Sequence, residues 1–403
     1  VPIDFDLEKC QFESCDPQKL IKILKELEFY TLIEKLPGQK EETGANLKEE
    51  IEKLYQQGVF SKKIYQLEKN LIPVIEKMEK TGIKIDPQHF KNLSQNLTLE
   101  LEDLKSKIYG LCGRIFNLNS PQQLAEILFK KLKLPTLGLK KTPGGVISTS
   151  SPELFKLRKF HPVIDKILQY RELFKLKSSF VDPLIELADP KDLRIHPQFH
   201  QLGTVTGRIS CSNPNLQQIP IRGKLQKEIR KGFVSEPGFL FLSCDYSQME
   251  LRVLAHLAKD KKLIEIFNQN QDIHRISAAR VFKVKEEEVS PEMRDLAKSL
   301  NYGIVYGMGV SAFAQNTGLS LKEAQQFFDQ YFLEFEGVKE YIEKTIRSAK
   351  ERGLVETLFG RKRYLPEIQS LDPRLSRQAE RMAINTTIQG TAADLIKMAM
   401  VLL

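Results

Sequence analysis

Five cysteines, Cys10, Cys15, Cys112, Cys211 and Cys244, are spread over 403 residues, and none forms a CxxC pair or joins histidines at zinc spacing. That pattern excludes a zinc site of recognisable sequence and fits reduced thiols in a cytosolic protein. No apolar run approaches the ~18–20 residues of a membrane span, so no membrane partner is expected. No GxxxxGK[ST] loop occurs, so any phosphate binding is not of the P-loop kind. The acidic N-terminus has the pattern of neither a secretory nor a transit peptide, so no leader is expected. The chain starts at Val1 and stops at Leu403 inside an apolar helical pattern, and both ends read as cut. No internal repeat is visible.

What is present belongs to a water-soluble chain: 41% hydrophobic and 28% charged residues. Its length exceeds what one core usually supports, which predicts two or more subdomains. The net charge of +9 is unevenly placed. Residues 1–60 hold 8 Lys and 13 Asp or Glu, a balance of −5, so residues 61–403 carry 53 basic and 39 acidic groups, or +14. A basic body behind an acidic lead suggests a polyanionic partner, nucleic acid first, against the plainer reading of a Lys-rich solubilising surface.

Periodicity predicts an amphipathic helix over 17–36 and a polar linker over 37–47. Asp6 and Glu8 have the Asp-x-Glu spacing of an exonuclease metal site, but no companion acidic motif follows, so they read as a solvated pair. A helical pattern over 51–80 is interrupted at Pro73. A long helix over 87–111 buries Leu93, Leu97, Leu101, Leu104, Ile108 and Leu111. Ser120-Pro121 and Ser151-Pro152 announce two further helices. From Ile195 strands and loops take over, 260–345 returns to helix, and 353–357 reads as a hairpin arm before a terminal helix. This order fits an α+β domain with a helical insertion.

Within it, 239–242 (FLFL) reads as a buried strand ending at Asp245, which is either a turn residue or a carboxylate offered to a ligand. Ser247 and Glu250 have capping-box spacing, which would start the next helix. Arg294, Lys298 and Tyr302 lie at i, i+4 and i+8 on one helix face: two cations and a ring suited to a nucleoside triphosphate, or an exposed face with a packed Tyr. Arg208 with 213–218, the basic run from Arg222 to Lys231, and the series Arg377, Arg381, Asn385, Gln389 could touch a duplex or be solvated surface. His274 is a phosphate contact or a helix cap.

Together these stretches resemble DNA polymerases of family A. DYSQMELRVLAHLA (245–258) is similar to that family's motif A and RDLAKSLNYGIVYG (294–307) to its motif B. TGRIS with PNLQQIPIR (206–222), QDIHR (271–275), ETLFGRKRYLP (356–366) and ERMAINTTIQGTAADLI (380–396) follow in family order, so the resemblance covers about 64–403. It implies an α+β right-hand fold with the palm incomplete at its C-terminus: an N-terminal linker segment at 1–63, a thumb at 64–165, a palm at 166–258 and 350–403, and fingers at 259–349.

The implied activity is template-directed addition of deoxynucleotides to a primer 3′ end, with two Mg2+ ions, primer–template DNA and deoxynucleoside triphosphates as partners, in a monomer of the bacterial cytoplasm near the nucleoid. By resemblance Asp245 and Lys298 are catalytic, and Asp245 with the Tyr246 carbonyl holds metal. Gln248, Glu250, His274, Arg294, Lys298 and Tyr302 would bind the nucleotide, with Glu250 excluding a 2′-hydroxyl. Tyr302, where many relatives have Phe, implies acceptance of dideoxynucleotides. Lys177, Arg208, Asn215, Gln217, Arg222, Tyr306, Arg381, Asn385 and Gln389 would bind DNA. Two departures stand out. No His-Asp-Glu stretch (motif C) occurs, which leaves one sure metal ligand and the fragment's turnover in question. Between the N-terminal segment ending near 36 and residue 64 only about 37–63 intervene, fewer than the ~50 residues of a small domain, so no proofreading domain is expected. A catalytically dead primer–template-binding module is the non-enzymatic alternative. A single-subunit RNA polymerase is a third reading, disfavoured by Glu250.

Overall fold

The computed structural model describes residues 45–142, 144–220 and 223–403. The expected helix at 17–36, the acidic pair Asp6 and Glu8, and Arg222 lie outside the described residues.

Helix α1 (Ala45–Gln56) leads to α2 (Lys62–Thr81), which Ser61 caps by accepting from the Ile64 N–H at 3.2 Å. α2 runs unbroken through Pro73, contrary to the expected interruption. Pro73 sits on the exposed side beside Lys69, so the carbonyl that loses its partner faces water. The break comes earlier, where Gly58 takes a left-handed φ of 69°.

After β1 (Ile83–Lys84) comes α3 (Pro87–Cys112), started by Asp86, whose carboxylate accepts from the Gln88 and His89 N–H groups at 2.9 and 3.0 Å. Its buried face, Phe90, Leu97, Leu101, Leu104 and Ile108, packs on α4 (Val163–Leu176) through Ile164, Ile167 and Tyr170. Cys112 rather than Leu111 completes the stripe, because a straight helix drifts away from a seven-residue repeat. Ser120 caps its helix as expected, whereas the helix at 151–155 begins after Ser150, one residue earlier than expected.

The strands are short and pair antiparallel two by two. β2 (Arg194–Ile195) joins β1, and β3 (Gln198–His200) joins β4 (Ser210–Ser212). Helix α5 (Lys224–Lys231) carries the basic run. Residues 239–242 do not form the expected buried strand: Phe239, Leu240, Phe241 and Leu242 are 71%, 93%, 59% and 89% exposed. A strand needs a neighbour for its backbone hydrogen bonds, and among the described residues none lies alongside this segment.

Helices α6 (Met249–Ala258), α7 (Lys261–Asn268), α8 (Ile273–Phe282), α9 (Pro291–Val305), α10 (Val310–Thr317), α11 (Leu321–Glu334) and α12 (Glu336–Arg352) build a second core. Leu254, Phe267, Leu300, Ile304, Phe313, Phe328 and Tyr331 fill it. Each such side chain contributes roughly 1.5–3 kcal/mol by leaving water. β5 (Leu354–Glu356) and β6 (Lys362–Tyr364) form the expected hairpin. The chain then enters α13 (Pro373–Leu402), which packs against α2, α6, α9, α12 and β5.

A helix touched on so many sides cannot be amphipathic, and α13 is buried all round from Thr386 to Asp394. Small residues permit the approach: at Gly390 a Cβ would come within 2.6 Å of the Thr357 methyl. At its centre four charges are shut away from water. The Lys397 ammonium lies 2.8 Å from Glu68 Oε1, Arg361 donates to Asp394 Oδ1 at 2.9 Å through Nε, and Arg361 also pairs with Glu68. Thr357 donates to Asp394 at 2.8 Å, and Lys397 donates to the Gln201 carbonyl at 3.0 Å. Burial would raise the Glu68 carboxyl, but Lys397 and Arg361 outweigh it and hold the group below its ordinary value.

Removing one member strands the others in a dry interior. Glu68→Ala is therefore expected to cost about 3–5 kcal/mol, read as a lower urea midpoint. A loss below about 1 kcal/mol, the size of an exposed pair, would show that the cluster does not hold α2 to α13.

Candidate functional site

The loop 243–247 ends at Gln248, held in the left-handed region at φ 52°, and α6 begins at Met249. The expected capping box is absent, because no side chain caps this helix. Glu250 turns away from the helix end to two other partners: Arg208, which pairs with it, and Tyr306, whose hydroxyl donates at 3.0 Å. A carboxylate with two directed donors across the cleft has no reason to fold back on its own backbone. Arg252 instead donates to the Ser247 carbonyl at 3.0 Å and steadies the turn.

Facing it, α9 starts as its sequence predicts, with Ser290 accepting from the Met293 N–H at 3.3 Å and Pro291 in the first turn. Arg294 donates to Asp272 at 2.8 Å. Asp272 in turn caps α8 by accepting from the His274 and Arg275 N–H groups, so His274 is not the cap. Against its partial burial, Arg294 and these N–H groups hold the Asp272 carboxyl below its ordinary value. The Tyr302 and Tyr306 rings stack at 6.4 Å, and Tyr302 lies 5.7 Å from the His274 ring. Burial raises the Tyr302 hydroxyl, and the carboxylates of Glu250 and Asp245 raise it further.

These elements enclose a cleft of about 700 Å³. Asp245, Tyr246, Gln248, Glu250 and Tyr302 line it, together with Arg208 and Gln217. Tyr306 joins through Glu250, and Gly307, at φ 67°, lets α13 approach so closely that a Cβ would lie 2.9 Å from Arg381 Cα. His274, Arg294 and Lys298 form a neighbouring group, both cations standing close enough to disfavour positive charge on the imidazole. Arg377 and Arg381 are exposed, Asn385 is half-buried and Gln389 buried, so their stripe runs from solvent into the interior. Asn385, Gln389 and the cleft residue Ala393 follow at four-residue steps, within about 80° on one face.

Lys177 does not line the cleft; its ammonium pairs with Asp182 at 2.7 Å, inside the first helical unit. Asn215 acts as a cap, accepting from the Gln217 N–H at 3.2 Å. The cleft's other wall, Met78, Phe199, Ile396, Lys397 and Met400, was not legible in the sequence, where these residues read as ordinary apolar or solvated positions. One signal was available: Glu68 is the charged residue within the buried set Ile64, Leu67, Leu71, Ile72 and Ile75 of α2. As metal donors the cleft offers the Asp245 carboxylate, while Glu250 is engaged by Arg208 and Tyr306. Among the described residues no cluster of three His, Cys, Asp or Glu could hold an ion. No described helix is long and apolar enough to cross a membrane.

The profile of DNA polymerase family A matches residues 87–403. The chain is 46% identical over 336 residues to the thermostable DNA polymerase I of Thermus aquaticus, covering 83% of this chain and 40% of that protein. It is 46% identical over 340 residues to DNA polymerase I of Bacillus caldotenax, covering 84% and 38%. The chain thus spans about two fifths of the length of these curated relatives. Among solved structures, the POL domain of Pol1 from M. smegmatis, in complex with DNA primer-template and dNTP, superposes with a TM-score of 0.77 at 36% identity, covering 88% of this chain and 61% of that one. The right-hand fold expected from the sequence is the fold of this chain.

Burial, with Arg294 and Lys298 alongside, pushes the His274 imidazole down to about 4. The unfolded chain takes up a proton near 6.5, the folded one does not, so stability from this group is complete above 6.5 and declines as pH falls toward 4. The stability difference between the parent chain and His274→Gln should shrink across that window in paired urea titrations. A difference independent of pH would refute the burial of a neutral ring.

Proposed function

The chain belongs to DNA polymerase family A, and on that premise we propose that it carries out template-directed DNA synthesis, adding deoxynucleotides to a primer 3′ end. The observation that supports this most directly is the contact of Tyr306 with Glu250. It joins the end of α9 to the start of α6, beside the cleft that Asp245, Glu250 and Tyr302 line together.

In this reading Arg294, Lys298 and His274 bind the triphosphate, and Tyr302 packs along base and sugar. Glu250, held from two sides, forms the floor under the sugar C2′ and excludes a 2′-hydroxyl. A loose gate would discriminate poorly, so Arg208 and Tyr306 serve selectivity by fixing it. Gln248 borders the same pocket. The Tyr302 hydroxyl favours acceptance of dideoxynucleotides. Arg208, Gln217, Tyr306, Arg381, Asn385 and Gln389 contact primer–template, with Asn215 shaping the turn that carries Gln217, while Lys177 and Arg222 are candidates for backbone contact. The thumb corresponds to 64–165, the palm to 166–258 and 350–403, and the fingers to 259–349, behind a linker at 1–63. The protein acts as a monomer in the bacterial cytoplasm, near the nucleoid.

Asp245 and the Tyr246 carbonyl are hard oxygen donors suited to Mg2+, which commonly binds one or two carboxylates together with substrate phosphates. When bound, Mg2+ supplies charge neutralisation and activation of the primer 3′-oxygen in two-metal transfer. The described residues provide the protein share of one such site rather than two. The second reading is a module that binds primer–template without extending it.

Primer extension with four deoxynucleotides separates these. Asp245→Ala should lower extension by on the order of 10²- to 10³-fold, the size of a lost preorganised charge, with salt-sensitive duplex binding intact. Extension that survives this change sinks the metal assignment. Duplex binding by the parent chain without any extension establishes the binding module. Glu250→Ala should narrow the preference for deoxy- over ribonucleotides, and equal use of both by the parent chain would make it an RNA polymerase.

A further inference from the structure

α8 and α9 pack so closely that small residues line their contact: Ala278 and Ala279 meet Ala297. Inside that contact three polar side chains are shut from water: His274, Ser277 and Asn301. A buried polar group without a partner costs about 1–3 kcal/mol, so such a cluster persists only when its members satisfy one another. They do. The Asn301 amide nitrogen lies 3.1 Å from His274 Nδ1 and 3.2 Å from the Ser277 hydroxyl, which itself donates to Asn301 Oδ1 at 3.2 Å.

A neutral imidazole has one N–H donor and one acceptor nitrogen, and the hydrogen bond at one nitrogen decides the state of the other. An amide N–H pointed at Nδ1 requires a lone pair there, which leaves the proton on Nε2. Around the ring stand Asp272 before α8, and Arg294, Lys298 and Tyr302 from α9. Two cations and one carboxylate leave this edge of the site positive on balance, suited to an anion. Toward an anionic oxygen, an Nε2–H is a donor, whereas a bare Nε2 would present a lone pair and repel it.

We propose that Asn301 is a positioning residue that locks His274 in its Nε2–H tautomer, so that a neutral ring presents a fixed donor to a triphosphate oxygen. The assignment of the triphosphate rests on the polymerase reading above; the tautomer lock does not. Arg294 and Lys298 supply the charge at this edge and His274 supplies direction. Ser277 contacts both ends of the Asn301 amide at 3.2 Å and satisfies it inside the helix contact.

The test is long-range ¹H–¹⁵N spectroscopy of the histidine-labelled full chain at neutral pH, with the His274 signals among the six histidines assigned by their loss in His274→Gln. The expected spectrum shows Nδ1 without a proton and Nε2 with one. Asn301→Asp, which places an acceptor opposite Nδ1, should move the proton to Nδ1 or charge the ring, a change that loosened packing alone does not produce. A parent chain with Nδ1 protonated overturns the proposal without any variant, and so does an Asn301→Asp spectrum identical to the parent. Added dATP should shift the Nε2 resonance while leaving its proton in place. A ring in the Nε2–H form that ignores saturating dATP would remove the triphosphate assignment and leave the lock standing, so the two failures are distinguishable.

Discussion

Four charges buried together, Glu68, Arg361, Asp394 and Lys397, set the constraint on which the rest of the molecule depends. They come from three places far apart in the chain: α2, the β5–β6 hairpin and α13. Each alone would be intolerable in a dry interior, and only their joint assembly, two of each sign with Thr357 and Gln201 filling remaining hydrogen bonds, makes the site neutral. The cluster is therefore a specificity device. Apolar packing would let α13 slide against α2 at little cost, whereas shifting it by one residue would separate Asp394 from Arg361 and Lys397 from Glu68.

That register matters because α13 also builds the cleft. Lys397 faces the charge cluster and, with Ala393, Ile396 and Met400, the cleft wall opposite Asp245 and Glu250. Gly390 and Gly307 let the hairpin and the end of α9 press against the same helix. The position of Tyr306 follows from these contacts, and through its hydroxyl the position of Glu250 follows as well. Rigid elements meeting at small residues thus place a carboxylate whose selective role would fail if it were mobile.

Local signals in the sequence were trustworthy where the chain itself supplies the partner. Ser290 with Pro291, and Ser120 with Pro121, start helices as written, and the apolar stripe of α3 holds from Leu97 to Ile108, with Cys112 in place of Leu111, Phe90 added and Leu93 half-buried. Two of the errors, at 239–242 and at Ser247, share one cause, a partner that lies elsewhere. Residues 239–242 have the composition of a buried strand but no neighbouring strand among the described residues. Ser247 and Glu250 have the spacing of a capping box, but Arg208 and Tyr306 engage the carboxylate.

The sequence by itself determined the family, the order of the helices, and the residue types brought to the cleft, because motif spacing and helix periodicity are local properties written in consecutive residues. Only the tertiary structure decided which carboxylate is held by which donors, that Asn301 and Ser277 enclose His274, and that α13 carries both a charge cluster and a cleft wall. Burial of a charged or polar side chain depends on what arrives from distant parts of the chain, and no pattern of neighbours along the sequence states it.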